Sequence, residues 1–219
     1  MAGEERFRES NPIVWQALDD LTSTWWNLED LYNSPYTSAD IRGYIRQAQA
    51  DVHAMANRVR EIGDSMIVDM SGPVRSQVAQ RFNATQQVLY ASDPLKGQIV
   101  LTAALSAQLR HDPSDGTMEN ARKHAYWMAM SVLNTGDPVF ARMFVDAHEF
   151  GQPSNFTFEP ATGGFLEYQH AFMDLHNNAV GFALAMAELP YIRGRHDAAD
   201  AARAIRRAID RGNGLRHLR

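Results

Sequence analysis

Three stretches of the chain set imidazole, carboxylate and amide side chains at helical spacing among apolar neighbours. Asn120 and His124 are four residues apart, one turn above the other on a shared helical face. Asp146 and Glu149 are three apart, with His148 beside them, at the end of a run containing Val139, Phe140, Met143 and Phe144. His170 and Asp174 are four apart, and Asn177 or Asn178 continues their face while His176 points elsewhere. Helices this rich in Phe, Trp, Met and Leu face a core. Polar groups held there must pair with one another or bind an ion, because burial without a partner is costly.

Two chemistries suit such a set. A divalent metal such as zinc takes His and carboxylate ligands from several helices and leaves a position for an activated water; His124, His148 and Asp174 are the ligand set expected here. A His–carboxylate pair can instead act as a general base without metal, and His148, Glu149 and His124 are the candidate catalytic residues. Asn120, His176, Asn177 and Asn178 would then contact or orient substrate. The competing reading is a satisfied polar network that fixes how the helices pack. No HExxH signature is present to decide between them.

The elements that must position these residues read as helices between Pro- and Gly-marked breaks, which predicts an all-α multi-helix bundle with at least seven helices. Val14, Trp15, Leu18, Leu21, Trp25 and Leu28 give one stripe over 11–32, with Asn11 as its expected cap before Pro12. Ile41, Ile45, Ala48, Val52, Met55 and Val59 give another over 39–62, stopped at Gly63. Further helices are expected over 74–90 and 95–109, the latter dense enough in Ile, Val, Leu and Ala to be buried on most sides. Next come 119–133, then 138–150 after a Gly136 stop and an Asp137 cap, then 165–189 halted by Pro190, and finally 197–211. The longest irregular segment is 151–164. An N-terminal helical region over 1–92 and a C-terminal helical domain over 93–219, or one continuous domain, are both compatible with these breaks.

The same residues carry a family resemblance. Asn120-Ala121-Arg122-Lys123-His124-Ala125-Tyr126-Trp127, Asp146-Ala147-His148-Glu149 and Met173 to Gly181 together resemble the bacterial DUF6973 domain over roughly residues 94–189. Its members follow an RHAYWNA…AHE…MDLHNNxVG pattern, and some lie near the C-terminus of large secreted or toxin-like proteins. The resemblance implies that His124, His148, Glu149, Asp174, His176, Asn177 and Asn178 belong to one site. Lys123 and Met128 depart from the pattern, standing where arginine and asparagine are usual. Gathering His and Asp or Glu from several helices is also similar in style to helical zinc-dependent phospholipase C and nuclease proteins, although the ligand order differs. The function expected is an effector or toxin-like hydrolase acting on a phosphodiester. The alternative is a non-enzymatic helical interaction module.

Composition excludes more than it assigns. With no cysteine, disulfides and thiolate metal sites are absent. A net charge of −5 leaves the whole chain without a polyanion-binding signature. No apolar run reaches the ~18–20 residues of a membrane span. The start of the chain is acidic and lacks the apolar core of a signal peptide, so synthesis in the cytoplasm, with signal-independent secretion as a route outward, is the expectation. No phosphate loop, GxSxG elbow or dinucleotide fingerprint occurs. From Arg193 to Arg219 there are eight arginines against three aspartates, a candidate surface for a phosphate-bearing ligand or an acidic partner. Trp15, Trp25 and Trp26 are expected to fill the core rather than form an interface patch.

Overall fold

The computed structural model describes residues 2–71, 80–111, 116–194 and 198–218. Among these, nine α-helices and no strand occur: α1 Ala2–Ser10, α2 Pro12–Asn33, α3 Ala39–Ser65, α4 Ala84–Ser92, α5 Pro94–Arg110, α6 Met118–Thr135, α7 Pro138–Phe150, α8 Glu167–Gly194 and α9 Ala198–Asp210. Two short 3₁₀ turns, Pro153–Phe156 and Thr162–Gly164, fill the segment between α7 and α8. The all-α expectation holds. None of the described helices is long and apolar enough to cross a membrane.

The chain divides into two compact units. The first comprises 1–94 and 147–159, the second 95–146 and 160–219. Helix α7 contributes residues to both.

In the first unit, Val14, Ala17, Leu21, Leu28 and Leu31 of α2 are buried, as are Ile45, Ala48, Val52, Met55, Val59 and Ile62 of α3. These are the two apolar stripes that the sequence spacing marks. Asn11 does not cap α2. Its amide instead donates to the Gly63 and Met66 carbonyls (3.3 and 2.9 Å) and accepts from the Val68 N–H (3.0 Å), tying the end of α3 to the start of α2. The expected helix over 74–90 is shorter at its visible end: α4 starts at Ala84, because Asn83 and Gln86 form a reciprocal capping box there. Residues 74–79 of that expectation lie outside the described residues. Trp25 and Trp26 meet edge to face at 5.0 Å, but Trp26 is exposed, so it does not fill the core.

In the second unit, α6 is buried almost all round, from Asn120 to Val132. Gly136, at φ 64°, ends it; Asp137 then accepts the Phe140 N–H (3.0 Å), and that bond chiefly holds the Asp137 carboxyl below the ordinary carboxylate range. Helix α5 departs from expectation. Only Gly97, Val100, Ala103 and Ala107 are buried, while Leu95 and Leu109 face solvent, so its small residues and not its leucines form the contact face. Helix α8 passes through Pro190 to Gly194 and does not stop there, since proline removes one N–H bond without forbidding a helical φ. Gly181 lies so close to the Ala125 carbonyl that no Cβ could be accommodated, which lets α6 and α8 approach backbone to backbone. Ala201, Ile205 and Ile209 give α9 a narrow buried face against both helices.

Candidate functional site

Local capping sets the first residue of the site. The Thr117 hydroxyl accepts the Asn120 N–H at 3.1 Å, starting α6 so that Asn120 falls in its first turn and His124 one turn later on the same side. Both side chains are buried. Facing them on α8 is Asp174. Its Oδ1 accepts from Asn120 Nδ2 at 3.1 Å, and its Oδ2 lies 3.3 Å from His124 Nε2. Asn178, one turn beyond Asp174, donates to Asp146 Oδ1 of α7 at 3.0 Å, and Arg142 Nε reaches Asp146 Oδ2 at 3.4 Å. Glu149 follows Asp146 by three residues on α7, and its Oε2 accepts from Asn155 Nδ2 at 3.0 Å.

His124, Glu149 and Asp174 form a buried group, each offering one ligand atom, with those atoms all within 4.8 Å of one another. Each of the three carboxylates in this region, Asp146, Glu149 and Asp174, accepts an N–H from an asparagine. A neutral amide fixes the direction of a carboxylate while leaving its negative charge in place. That is the arrangement by which outer residues orient the ligands of a metal. The remaining amide oxygens, Asn120 Oδ1 and Asn178 Oδ1, are buried and have no hydrogen-bond partner among the described residues. Each is an acceptor that a water or a ligand hydroxyl would satisfy.

The candidates from sequence divide into three groups. His124, Glu149 and Asp174 cluster, Asn120 bonds Asp174, and Asn178 bonds Asp146. His148, expected among the ligands, is half-buried one helical step from Glu149 and is not one of the three clustered residues, whereas Glu149 is. His176 and Asn177 point to the main chain of the C-terminal segment: His176 Nε2 is 2.8 Å from the Gly214 carbonyl, and Asn177 bonds both the N–H and the C=O of Arg216. His170 is buried with its ring edge-on to Phe165 at 6.1 Å, so the face it shares with Asp174 in sequence is filled by an aromatic contact. Two participants had no periodic signal to reveal them. Asn155 lies in an irregular segment, and Arg142 reads as an ordinary charged position on α7.

A second polar set lies on the second unit. His111 Nδ1 is 2.9 Å from Glu119 Oε2, Arg122 pairs with the other oxygen of Glu119, and Arg122 also donates to the Asp210 carbonyl at 2.8 Å. The hydrogen bond from His111, then that from Arg122, holds the Glu119 carboxyl below its ordinary range.

A family model described as a domain of unknown function, DUF6973, matches residues 87–212. The chain belongs to the DUF6973 family. The match takes in α5 to α9 entire, together with most of α4, and it extends beyond the span that the three motif blocks mark in the sequence. No curated protein and no solved structure matches the chain. Within the DUF6973 domain the first block supplies Asn120 and His124, the second Asp146 and Glu149, and the third Asp174 and Asn178.

Proposed function

We propose that the DUF6973 domain of this chain binds a divalent cation through His124, Glu149 and Asp174 and uses it to hydrolyse a phosphodiester. The observation that carries this is the spacing of the three ligand atoms. In particular, His124 Nε2 and Asp174 Oδ2 lie 3.3 Å apart. Two ligands at about 2.0–2.1 Å from one tetrahedral ion are separated by about 3.3 Å. A charge-assisted hydrogen bond between the same groups would be closer to ~2.8 Å.

One nitrogen and two carboxylate oxygens suit Zn²⁺ or Mn²⁺ better than a purely oxygen-seeking ion. Three protein ligands leave a fourth position for water, whose proton a bound divalent cation makes easier to lose. Asp146, held by Asn178 and Arg142 next to this group on α7, is placed to orient a polar ligand. A bacterial effector or toxin-like role is the biological setting that fits this chemistry and the resemblance described from the sequence.

A second reading has its own support. His124, Glu149 and Asp174 are all nine-tenths or more buried, which suits a polar network that locks α6, α7 and α8 in register. One experiment separates the two. The protein is purified without chelator and its metal content measured, then bis(p-nitrophenyl) phosphate hydrolysis is followed with and without added Zn²⁺ or Mn²⁺. About one ion per chain and chelator-sensitive hydrolysis are expected. Metal at background level under every condition would leave the structural network as the reading. A bound ion without hydrolysis would retain the site and reject the reaction.

A further inference from the structure

Glu119, Arg122 and Tyr126 lie three and four residues apart and share one side of α6. Two other elements of the second unit close on this stripe. From the end of α5, His111 Nδ1 lies 2.9 Å from Glu119 Oε2, and its ring meets that of Tyr126 at 6.0 Å. Beside it, the Arg110 guanidinium sits 5.3 Å from the Tyr126 ring centre. From α9, the Arg206 guanidinium sits 5.8 Å from the same ring centre. One turn further along α9, the Asp210 carbonyl accepts from Arg122 at 2.8 Å. Three arginines from three helices thus gather around one tyrosine.

This set is short of both negative charge and hydrogen-bond acceptors. Glu119 is engaged at both oxygens, by His111 and by Arg122. Arg110 and Arg206 form no ion pair among the described residues and stack on Tyr126 instead. His111 Nε2, Arg122 Nε and Arg206 Nε are buried and have no hydrogen-bond partner among the described residues. The unpartnered atoms next to Asp174 and Asp146 are amide oxygens, which call for a donor or a cation. Here they are nitrogens, and a guanidinium nitrogen can only donate. What the set lacks is an anionic acceptor.

We propose that Arg110, Arg122 and Arg206 form a binding site for a phosphate dianion, either inorganic phosphate or a phosphomonoester. Three guanidinium charges against the Glu119 carboxylate leave a surplus of two, on a chain whose net charge is −5. A phosphomonoester carries about −1.5 to −2 near neutral pH and matches that surplus. A carboxylate or a phosphodiester, with a single charge, does not. The planar guanidinium fork also fits phosphate oxygens in pairs. Arg110 is exposed and Arg122 partly so, which opens the site to solvent. Within the arginine-rich stretch from Arg193 to Arg219, the proposal singles out Arg206 and sets aside Arg203, which is already paired with Asp200. No step depends on a cation at His124, Glu149 and Asp174.

The test titrates the full chain by calorimetry with inorganic phosphate, phenyl phosphate and diphenyl phosphate, at low salt and mildly alkaline pH, where the monoester is a dianion. One phosphate or phenyl phosphate per chain is expected, with the diester at least about tenfold weaker. Arg110→Gln and Arg206→Gln should each weaken binding about tenfold. Arg203→Gln removes the same charge from α9 and should change it by no more than about twofold. Binding of phenyl phosphate alone assigns the site to a monoester, and binding of both assigns it to phosphate itself. If Arg206→Gln loses its helical circular dichroism, the exposed Arg110 carries the test. The rise in melting temperature that phosphate gives the parent must then vanish in Arg110→Gln and persist in Arg203→Gln. No binding by about 10 mM ligand overturns the proposal. So does equal loss in Arg203→Gln and Arg206→Gln, which would reduce the effect to overall charge, or equal affinity for the diester. Binding that chelator abolishes would place the phosphate on a metal ion and overturn it as well.

Discussion

Polar side chains in the two units follow two patterns, with exceptions in each: buried Gln49 and Glu149 of the first bond side chains, and buried Asn177 of the second bonds main chain. In the first, buried Asn11, Thr24 and Thr37 and half-buried Asn27 and Asn83 each bond main-chain atoms: Thr24 the Phe150 carbonyl at 2.8 Å, Asn27 the Pro153 carbonyl at 2.8 Å, Thr37 the Leu31 carbonyl at 2.6 Å and Asn83 the Ala147 carbonyl at 2.6 Å. In the second, Asn120, His124, Asp174, Asn178 and Asp146 bond one another. A side chain that satisfies a carbonyl at a helix end completes the fold's own hydrogen bonding. A carboxylate oriented by a neutral amide keeps a charge that the fold itself does not require. What a buried polar group touches therefore separates main-chain stitching from a side-chain network, before any ligand is known.

The largest expected effect breaks the second pattern. Replacing Asp174 with Ala removes the acceptor that Asn120 and His124 share, leaving two buried groups without it. If the group holds a cation, metal content should fall to background, and the change in melting temperature on adding chelator, present in the parent, should vanish. Loss of the acceptor adds about 3 kcal/mol of destabilisation in either case. A variant that melts lower yet keeps its full metal content would move the cation site away from Asp174. The measurements are elemental analysis and thermal unfolding, each with and without chelator.

The matching change in the first unit is Asn11→Ala. It deletes three bonds to Gly63, Met66 and Val68 and leaves the Val68 N–H, which is buried, without its acceptor. About 2 kcal/mol of stability should be lost. Metal content and any hydrolysis measured on the folded protein should not change. Loss of metal from folded Asn11→Ala protein would show that the division between main-chain stitching and the side-chain network is false.

How much of this was legible in the sequence follows from the range of the interactions. Helices with a stripe were readable, because 3.6-residue spacing is a local property; α2, α3, α6, α7 and α9 follow it closely. Helix α1 was not, since Ala2 to Ser10 is mostly charged and polar and has no stripe to read. Helix α5 was read as a buried core helix from its apolar content, yet only Gly97, Val100, Ala103 and Ala107 of it are buried. For the site, four-residue spacing linked Asn120 with His124, which do share one side of α6, but it also linked His170 with Asp174, and His170 packs on Phe165 instead. Choosing between His148 and Glu149 demanded the rotation of α7, which a step of about 100° per residue makes sensitive to the packing of the whole helix. The partner of Asn177 lies 39 residues away in an irregular segment, and no spacing rule reaches that far.

The smallest predicted effect concerns Glu119, whose role lies between the two patterns: it bonds side chains, His111 and Arg122, but sits at the surface. The His111 hydrogen bond is the main cause of its lowered pKa, with Arg122 adding to it and partial burial opposing. The sign of the pH effect follows from linkage. A carboxyl with a folded-state pKa below its unfolded value of 4.5 stabilises the fold fully above that unfolded value, and the contribution is lost as pH falls through the lower folded value. Glu119 is about two-fifths exposed, so solvent screening keeps the contribution small. Glu119→Gln should therefore leave the melting temperature lower than the parent's near neutral pH, and the two should converge as pH is taken down through the acid range below 4.5. Added salt should narrow the neutral-pH gap, because the Arg122 component is an exposed ion pair. A gap that persists unchanged at acid pH would assign the effect to packing of the side chain and not to its charge. That result would return Glu119 to the stitching class represented by Asn11.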